Sequence, residues 1–252
     1  MWGIKISTVG TGAILAALCA SSLSASPIFG TFNIAGTINV TLNTITWVSN
    51  DSPFPPDTAT VGPGPTGSFV GLGGTTISIQ NLSRTTEPVG SPGFGDQPFI
   101  AFNAAPTIPT LDINFIFQGI YPNTDCATLP PTVGQVCTPG PPNSPFNFVN
   151  NPPAAPAGPQ ATATFVFTGE TADHLSAWRA NFTSQFDVPY QTVLAAFGPG
   201  GSGVVSNTYS ATVTVTPIPP VPEPDAMALT GGGLGLVLLS IFLSRRSSKR
   251  CL

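Results

Sequence analysis

The sequence predicts an all-β domain, an antiparallel β-sandwich-like fold or a barrel-like closure of the same strands, with long Pro- and Gly-rich loops. Three observations favour this class. Short runs alternate apolar and polar residues with the period of a strand. Gly and Pro, 27 and 29 of 252 residues, separate these runs. The runs themselves are rich in Val, Ile, Thr and Phe, which favour strands, and Phe alone occurs 17 times.

The predicted strands follow the alternating runs. In chain order they are residues 34–42, 45–47, 75–82, 99–102, 111–117, 161–167, 180–186 and 204–215. In the 111–117 run we expect Leu111, Ile113, Phe115 and Phe117 to share one face. Residues 51–67 and 130–159 are predicted to be irregular, since their prolines cannot donate ladder hydrogen bonds.

Two short stretches favour a helix within this β-rich pattern. Residues 171–178 could be capped by Thr171, with Asp173 near the positive end of the helix dipole. Residues 190–197 are opened by Pro189 and closed by Gly198, the order in which these residues flank helices. Neither stretch changes the predicted fold class.

The beginning of the chain has the three parts of a secretory signal peptide. Lys5 supplies a positive charge, residues 9–20 form an apolar stretch, and Ser22-Leu23-Ser24 or its neighbours offer a small-residue cleavage site. We therefore predict a signal peptide over residues 1–25 and an exported domain over residues 26–217.

The last part of the chain combines a short acidic motif, an apolar run and a basic cluster. Pro222, Glu223 and Pro224 stand in a linker at 218–225, and residues 226–243 carry no charge. As a helix this run would be roughly 27 Å long, at the short end of what crosses a membrane. The tail at 244–252 is predicted to stay cytoplasmic by the positive-inside rule. Its basic residues are Arg245, Arg246, Lys249 and Arg250.

This order of motif, apolar run and basic stop resembles the PEP-CTERM sorting domain of exported bacterial proteins. The resemblance implies that Pro222, Glu223 and Pro224 are recognised by an exosortase-type processing enzyme. It also implies that the tail is processed as the protein reaches the cell surface or extracellular matrix. Asp225 departs from the small or hydroxyl residues usual after the motif, and Cys251-Leu252 extends past the usual basic end. An ordinary single-pass membrane anchor is the alternative reading.

The middle of the chain is similar to uncharacterised exported proteins that carry such a tail. The similarity lies in residues 36–41, 44–47, 182–186 and 190–194, and it implies no known activity. We expect a protein that is anchored in the membrane with its domain outside, or released after processing of the tail.

Charge and motif content limit the chemistry of the exported domain. It holds two basic residues, Arg84 and Arg179, against nine acidic ones, which argues against a nucleic-acid partner. His174 is the only histidine, and no Gly-x-Ser-x-Gly sequence occurs. We therefore predict no enzyme activity, no cofactor and no metal site. A hydrolase that uses an unrecognised pair of carboxylates remains an alternative.

Cys126 and Cys137 are the two cysteines of the exported domain. In an oxidising compartment they can form a disulfide, which would contribute roughly 2 to 3 kcal/mol by closing a short loop. A redox pair or half of a metal site is the alternative, although there is no Cys-x-x-Cys spacing and no nearby His.

The tryptophans separate two functional hypotheses. Trp47 and Trp178 stand in alternating apolar runs, which favours core packing, but exposed rings could stack on sugars. The first hypothesis is an exported structural or interaction protein without enzyme activity. The alternative is a carbohydrate-binding β-sandwich module anchored at the cell surface, with extracellular polysaccharide as its partner.

Overall fold

The computed structural model describes residues 25–48, 57–92, 94–140, 143–152 and 160–219. Within these residues the chain forms strands, one α-helix and a short 3₁₀ helix at Gly67–Phe69. The strands are β1 (Gly30–Val40), β2 (Thr44–Val48), β3 (Thr58–Val61), β4 (Thr76–Ile79), β5 (Leu82–Ser83), β6 (Gln97–Ala101), β7 (Leu111–Ile116), β8 (Val136–Cys137), β9 (Asn147–Asn150), β10 (Ala161–Thr171), β11 (Ser176–Phe186) and β12 (Val205–Pro217). The helix α1 spans Tyr190–Ala195.

Eight of these strands form a closed antiparallel barrel. They pair in the order β11-β12-β1-β3-β4-β6-β7-β10, and β10 pairs back with β11. The all-β antiparallel prediction is thus confirmed, with a closed barrel in place of the two separate sheets of a sandwich. Closure satisfies the backbone groups that open sheet edges would leave unpaired. Outside the ring, β2 pairs with β1 and β5, while β9 joins β10 to β8.

The long strands of the barrel alternate as the sequence predicts. Along β12 the inward residues are buried and apolar, while Ser and Thr occupy most of the outward positions between them. The inward residues are Tyr209, Ala211, Val213 and Val215. The interior is aromatic: Phe165 on β10 and Phe182 on β11 stack with ring centroids 4.8 Å apart.

Strand β7 does not keep one face inward, which corrects the prediction for its run. Leu111 and Ile113 are buried, but the next buried residue is Ile116, while Phe115 and Phe117 lie outside. The reason is a shift in the pairing of β7 with β10 between Thr168 and Gly169. One extra residue at such a bulge turns the following side chains to the other face.

Three local predictions are corrected by the fold. Residues 51–67 were expected to be a loop but contain β3, and residues 130–159 contain β8 and β9. The predicted helix at 171–178 is instead the tight connection between β10 and β11, where His174 has a φ of 56°. The two flanking strands pair over ten residues each, which outweighs a single capping signal. The predicted helix at 190–197 is confirmed as α1.

The terminal predictions concern residues that are mostly outside the described part of the chain. The compact unit that contains the barrel ends at Pro217. The motif at 222–224, the apolar run at 226–243, the basic tail and residues 1–24 lie outside the described residues. Within the described ranges, no helix is both long enough and apolar enough to cross a membrane.

Candidate functional site

An apolar cavity of about 260 Å³ opens at one end of the barrel. We call this the cavity end, where β1 and β11 finish and where β10 and β12 begin. Its walls include inward residues of the strands, such as Ile38 and Phe165 of the main core, together with residues of the neighbouring loops. On the other side are Phe148 and Val193, which belong to a second buried cluster. The cavity therefore lies where the two clusters meet.

The cavity exists because the inward side chains of two neighbouring strands are small near the cavity end and large farther inside the barrel. Phe165 and Phe182 fill the barrel with stacked rings. Nearer the cavity end, the inward positions hold Ala163 on β10 and Ser184 on β11, which pair directly across the two strands. Both line the cavity and both are buried. These two small residues, next to the stacked aromatic rings, leave a space that reaches the core.

The mouth of the cavity carries two charged residues from one turn. After β5, backbone hydrogen bonds from Thr86 and Glu87 to the Ser83 carbonyl close a turn that places Arg84 and Glu87 beside the opening. Glu87 is 3% exposed, and its Oε2 accepts hydrogen bonds of 2.8 Å from the Ser83 N–H and the Thr86 hydroxyl. Its carboxylate is thus held by the turn itself.

Arg84 is held more loosely than Glu87. Its guanidinium donates only long hydrogen bonds, 3.5 Å to the Leu42 carbonyl and 3.4 Å to the Asn143 carbonyl. Among the described residues it forms no ion pair. The other arginine of this part of the chain is Arg179, on the outside of the barrel. Its Cζ lies 5.2 Å from the centroid of the Phe117 ring. Arg84 therefore brings a positive charge without a carboxylate partner to the mouth of an apolar space.

A buried amide network holds α1 against the cavity end. The Asn150 side chain accepts a hydrogen bond from the Tyr190 N–H and donates to Gln191, at 3.0 and 2.9 Å. Gln191 in turn donates to Gln135 at 2.8 Å and to the Thr128 carbonyl at 3.3 Å. Asn150 and Gln191 are 3% and 8% exposed, so these bonds replace contacts with water. The network fixes the helix that supplies Val193 to the cavity wall.

The network contacts the loop at Thr128 and Gln135, and the same loop contains the disulfide that the sequence predicts. Cys126 and Cys137 are bonded, with their Cα atoms 5.1 Å apart. Cys137 is fully buried in the second cluster beside Tyr190. The Tyr190 hydroxyl donates to the Asp125 carbonyl at 3.1 Å, and burial raises its pKa, as does the charge of Asp125. The loop and α1 therefore pack against each other on one side of the cavity end.

The opposite end of the barrel, which we call the hairpin end, is where β10 finishes and β11 begins. His174 Nδ1 lies 3.1 Å from Glu170 Oε2, and both side chains are exposed. The hydrogen bond with Glu170 raises the pKa of His174, and the charges of Asp96, Glu170 and Asp112 add to this effect. Asp173, next to His174 in sequence, instead accepts hydrogen bonds from the Thr171 hydroxyl and the Leu175 N–H. The sequence pair Asp173-His174 is therefore not a dyad.

The tryptophans of the carbohydrate hypothesis are core residues. Trp47 and Trp178 are 0% and 2% exposed. The indole N–H groups donate to backbone carbonyls, Trp47 to Gln80 at 2.7 Å and Trp178 to Asp112 at 2.9 Å. Neither ring is available to stack on a sugar. The carbohydrate-binding hypothesis therefore has no support from Trp47 and Trp178, the two residues on which it was based.

Among the described residues, the buried hydroxyl of Tyr209 lacks a hydrogen-bond partner. Tyr209 is 4% exposed, and its Oη has no hydrogen bond within the described residues. Burial raises its pKa well above the usual range. The ring fits because Gly36 faces it: a Cβ built at that glycine would lie 3.0 Å from Cε1 of Tyr209. The hydroxyl is neutral and packed, with no described neighbour placed to remove its proton.

The cavity was not found from the sequence, because its walls come from separate stretches of the chain. One local signal existed. Arg84 is one of only two basic residues between positions 26 and 217, and Glu87 follows it in the same turn. The described residues bring together no group of three or more His, Cys, Asp or Glu side chains that could hold a metal ion.

No family model, curated protein or solved structure matches this chain. The function must therefore be argued from the barrel, its cavity and the sequence of the tail.

Proposed function

We propose that this is an exported, non-enzymatic protein of the cell surface or extracellular matrix, sorted through its C-terminal tail. The observation that carries the proposal is the place where the barrel ends. Its last strand, β12, pairs with both β1 and β11 and finishes at Pro217. Only residues 218–221 separate this strand from Pro222. The ring closes without any residue of the motif, so a processing enzyme can act on the tail while the barrel stays folded.

The proposal includes the signal peptide at 1–25 and the membrane helix at 226–243. Pro222, Glu223 and Pro224 serve as the recognition element, and the basic residues at 244–252 hold the end of the chain on the cytoplasmic side. An exosortase-type enzyme would then process the tail at the outer face of the membrane.

Three features of the barrel suit a protein that is exported from the cell. The Cys126–Cys137 disulfide is of the kind that persists in oxidising compartments. The outward positions of β12 are mostly Ser and Thr, which keep the surface polar with few charges. A closed barrel also has no open edge in its ring through which copies could pair during export.

The direction of β12 adds a geometrical point. This strand of 13 residues begins at the cavity end and finishes at the hairpin end, a path of roughly 40 Å at about 3.3 Å per residue. The chain therefore leaves the barrel at the end opposite the cavity.

Mass spectrometry of cell, membrane and medium fractions tests the proposal. We expect the surface or medium form to lack peptides beyond Pro224. A Glu223→Ala variant should keep the tail and accumulate in the membrane fraction. Asp225→Ala is the matched control, because it removes a neighbouring carboxylate and leaves the motif intact. An intact tail in every fraction of the unmodified protein would make it a plain single-pass anchor and overturn the sorting proposal.

A further inference from the structure

We infer that the cavity binds a medium-chain carboxylate, with the alkyl chain inside the barrel and the carboxylate at Arg84. This inference concerns the barrel alone and goes beyond the proposed export. It stands on three observations: the size of the cavity, the chemistry of its walls and the unpaired guanidinium at its mouth.

The size of the cavity sets the length of the ligand. An apolar cavity of about 150 Å³ is known to bind benzene, which has six carbon atoms. In the same proportion, a cavity of about 260 Å³ holds roughly ten heavy atoms. Octanoate, with eight carbons and two oxygens, is a ligand of this size. An eight-stranded barrel is also the size that can hold one small ligand.

The walls favour an alkyl chain over a polar ligand. The deep part is formed by Ile38, Ile116 and Phe165, each at most 3% exposed. Polar side chains also line the cavity, among them Ser184 and Asn207. The Ser184 hydroxyl already donates to the Thr208 carbonyl at 2.7 Å and accepts a hydrogen bond from the Asn207 amide at 2.9 Å. A ligand rich in hydroxyl groups would leave those groups without hydrogen-bond partners inside the cavity, which is unfavourable. An alkyl chain carries no such cost and gains from burial.

The mouth favours a negatively charged head group. Arg84 has five N–H donors, and its two hydrogen bonds are long bonds to backbone carbonyls. A carboxylate can accept two of these donors at once in the parallel geometry that guanidinium and carboxylate share. The described residues supply no carboxylate that pairs with Arg84. A ligand can therefore provide the missing partner.

Glu87 is the group at the mouth that could oppose this choice. Its carboxylate would attract a cationic head group if it were free. However, its Oε2 already accepts the Ser83 N–H and the Thr86 hydroxyl, and the residue is 97% buried. Arg84 is more exposed than Glu87 and has the weaker hydrogen bonds. A comparison of anionic, neutral and cationic ligands of one chain length decides between the two residues.

The test is native mass spectrometry of the full chain, held in amphipol, with octanoate, octanol or octylamine at equal concentration. We expect octanoate to bind at least about tenfold more tightly than the other two, the effect of one charge-assisted contact. Arg84→Gln should weaken octanoate binding by about the same factor and leave octanol unchanged. Arg179→Gln is the matched control, since it removes the other arginine from the outside of the barrel and should change neither.

A second variant tests the cavity independently of charge. Ala163→Phe places a ring where the chain is expected to lie and should weaken the binding of octanoate and octanol alike. If this variant does not fold, the Arg84→Gln comparison still decides. The inference is overturned if the unmodified protein binds no octanoate, if it prefers octylamine, or if Arg84→Gln keeps the preference for octanoate. None of these outcomes depends on whether the tail is processed.

Discussion

The two ends of the barrel differ in how they use charge. At the hairpin end, His174 and Glu170 form an exposed pair, with Asp96 and Asp112 near enough to act on the imidazole. At the cavity end, Glu87 is buried in a turn, and no carboxylate of the described residues pairs with Arg84. At the hairpin end, His174 therefore has a carboxylate partner within the protein. At the cavity end, the described residues give Arg84 no such partner, so a bound ligand could supply one.

The ends also differ in how completely they are filled. At the hairpin end the Trp178 indole N–H donates to the Asp112 and Glu170 carbonyls at 2.9 and 3.2 Å, and Gly169 lies against the same backbone. At the cavity end, Ala163 and Ser184 leave a space of about 260 Å³. One strand, β10, thus carries a tightly packed glycine near its end and a small residue beside a cavity near its start. The contrast indicates that the hairpin end supports the fold, whereas the cavity end is open to a ligand.

The largest expected effect is at the hairpin end, at Gly169. A Cβ at this position would overlap the Asp112 carbonyl oxygen and lie 2.8 Å from Nε1 of Trp178. Backbone cannot move aside as a flexible side chain can, so Gly169→Ala should lower the free energy of unfolding by about 3 kcal/mol. Denaturant unfolding followed by tryptophan fluorescence measures this, because Trp47 and Trp178 are buried in the barrel.

Gly73→Ala is the control for that prediction. Its Cβ would meet only ordinary contacts, 3.4 Å to the Gly62 carbonyl oxygen and 3.5 Å to Cδ of Pro65. It should change the unfolding free energy by less than about 1 kcal/mol. Equal effects of the two variants would contradict the view that the hairpin end is packed to backbone contact.

The next effect is at the cavity end, at Asn150. Asn150→Ala removes the acceptor of the Tyr190 N–H and leaves the Gln191 amide oxygen without its donor. We expect a loss of about 2 kcal/mol, because buried polar groups lose their partners and α1 loses the contact at its start. The same denaturation measures it. Asn123→Ala, an exposed residue of the same loop region, should be nearly neutral, and a comparable loss there would argue against the network.

The sequence predicted those parts of the fold that depend on local alternation. Strands β10, β11 and β12 were recognised because inward and outward residues alternate along them, and α1 because Pro189 and Gly198 flank it. The short β3 was missed, since Thr58–Val61 lies among prolines and only its pairing with β1 and β4 makes it a strand. Barrel closure likewise depends on the pairing of β7 with β10, which no local pattern contains.

The candidate site was beyond the sequence for the same reason. Its walls come from residues 38 to 207, which meet only when the ring closes. The bulge at Thr168 and Gly169 also changed the faces of β7, so that Phe115 and Phe117 lie outside where alternation places them inside. In the sequence, only Arg84 stands out, because basic residues are rare in this part of the chain. Its proposed role in binding depends on the cavity beside it, which only the structure shows.

The smallest expected effect is the titration of His174. The hydrogen bond with Glu170 raises its pKa above the ordinary 6.5, helped by the charges of Asp96, Glu170 and Asp112. Since this is the only histidine, its ring protons can be followed by NMR without ambiguity. We expect Glu170→Gln to lower this pKa toward the ordinary value, with a small upward shift left by Asp96 and Asp112. Asp187→Asn, an exposed carboxylate at the cavity end, should leave it unchanged.

The sign of the linked stability change follows from the direction of the shift. A histidine whose pKa is raised by folding stabilises the folded state at pH values below its unfolded pKa. That contribution disappears as the pH rises through the folded pKa, so the unmodified barrel should lose slightly more stability than Glu170→Gln between about pH 6 and 8. The difference is small because both side chains are exposed to solvent. If His174 titrates equally in both proteins, the exposed pair does not form in solution, and the contrast between the two ends rests on packing alone.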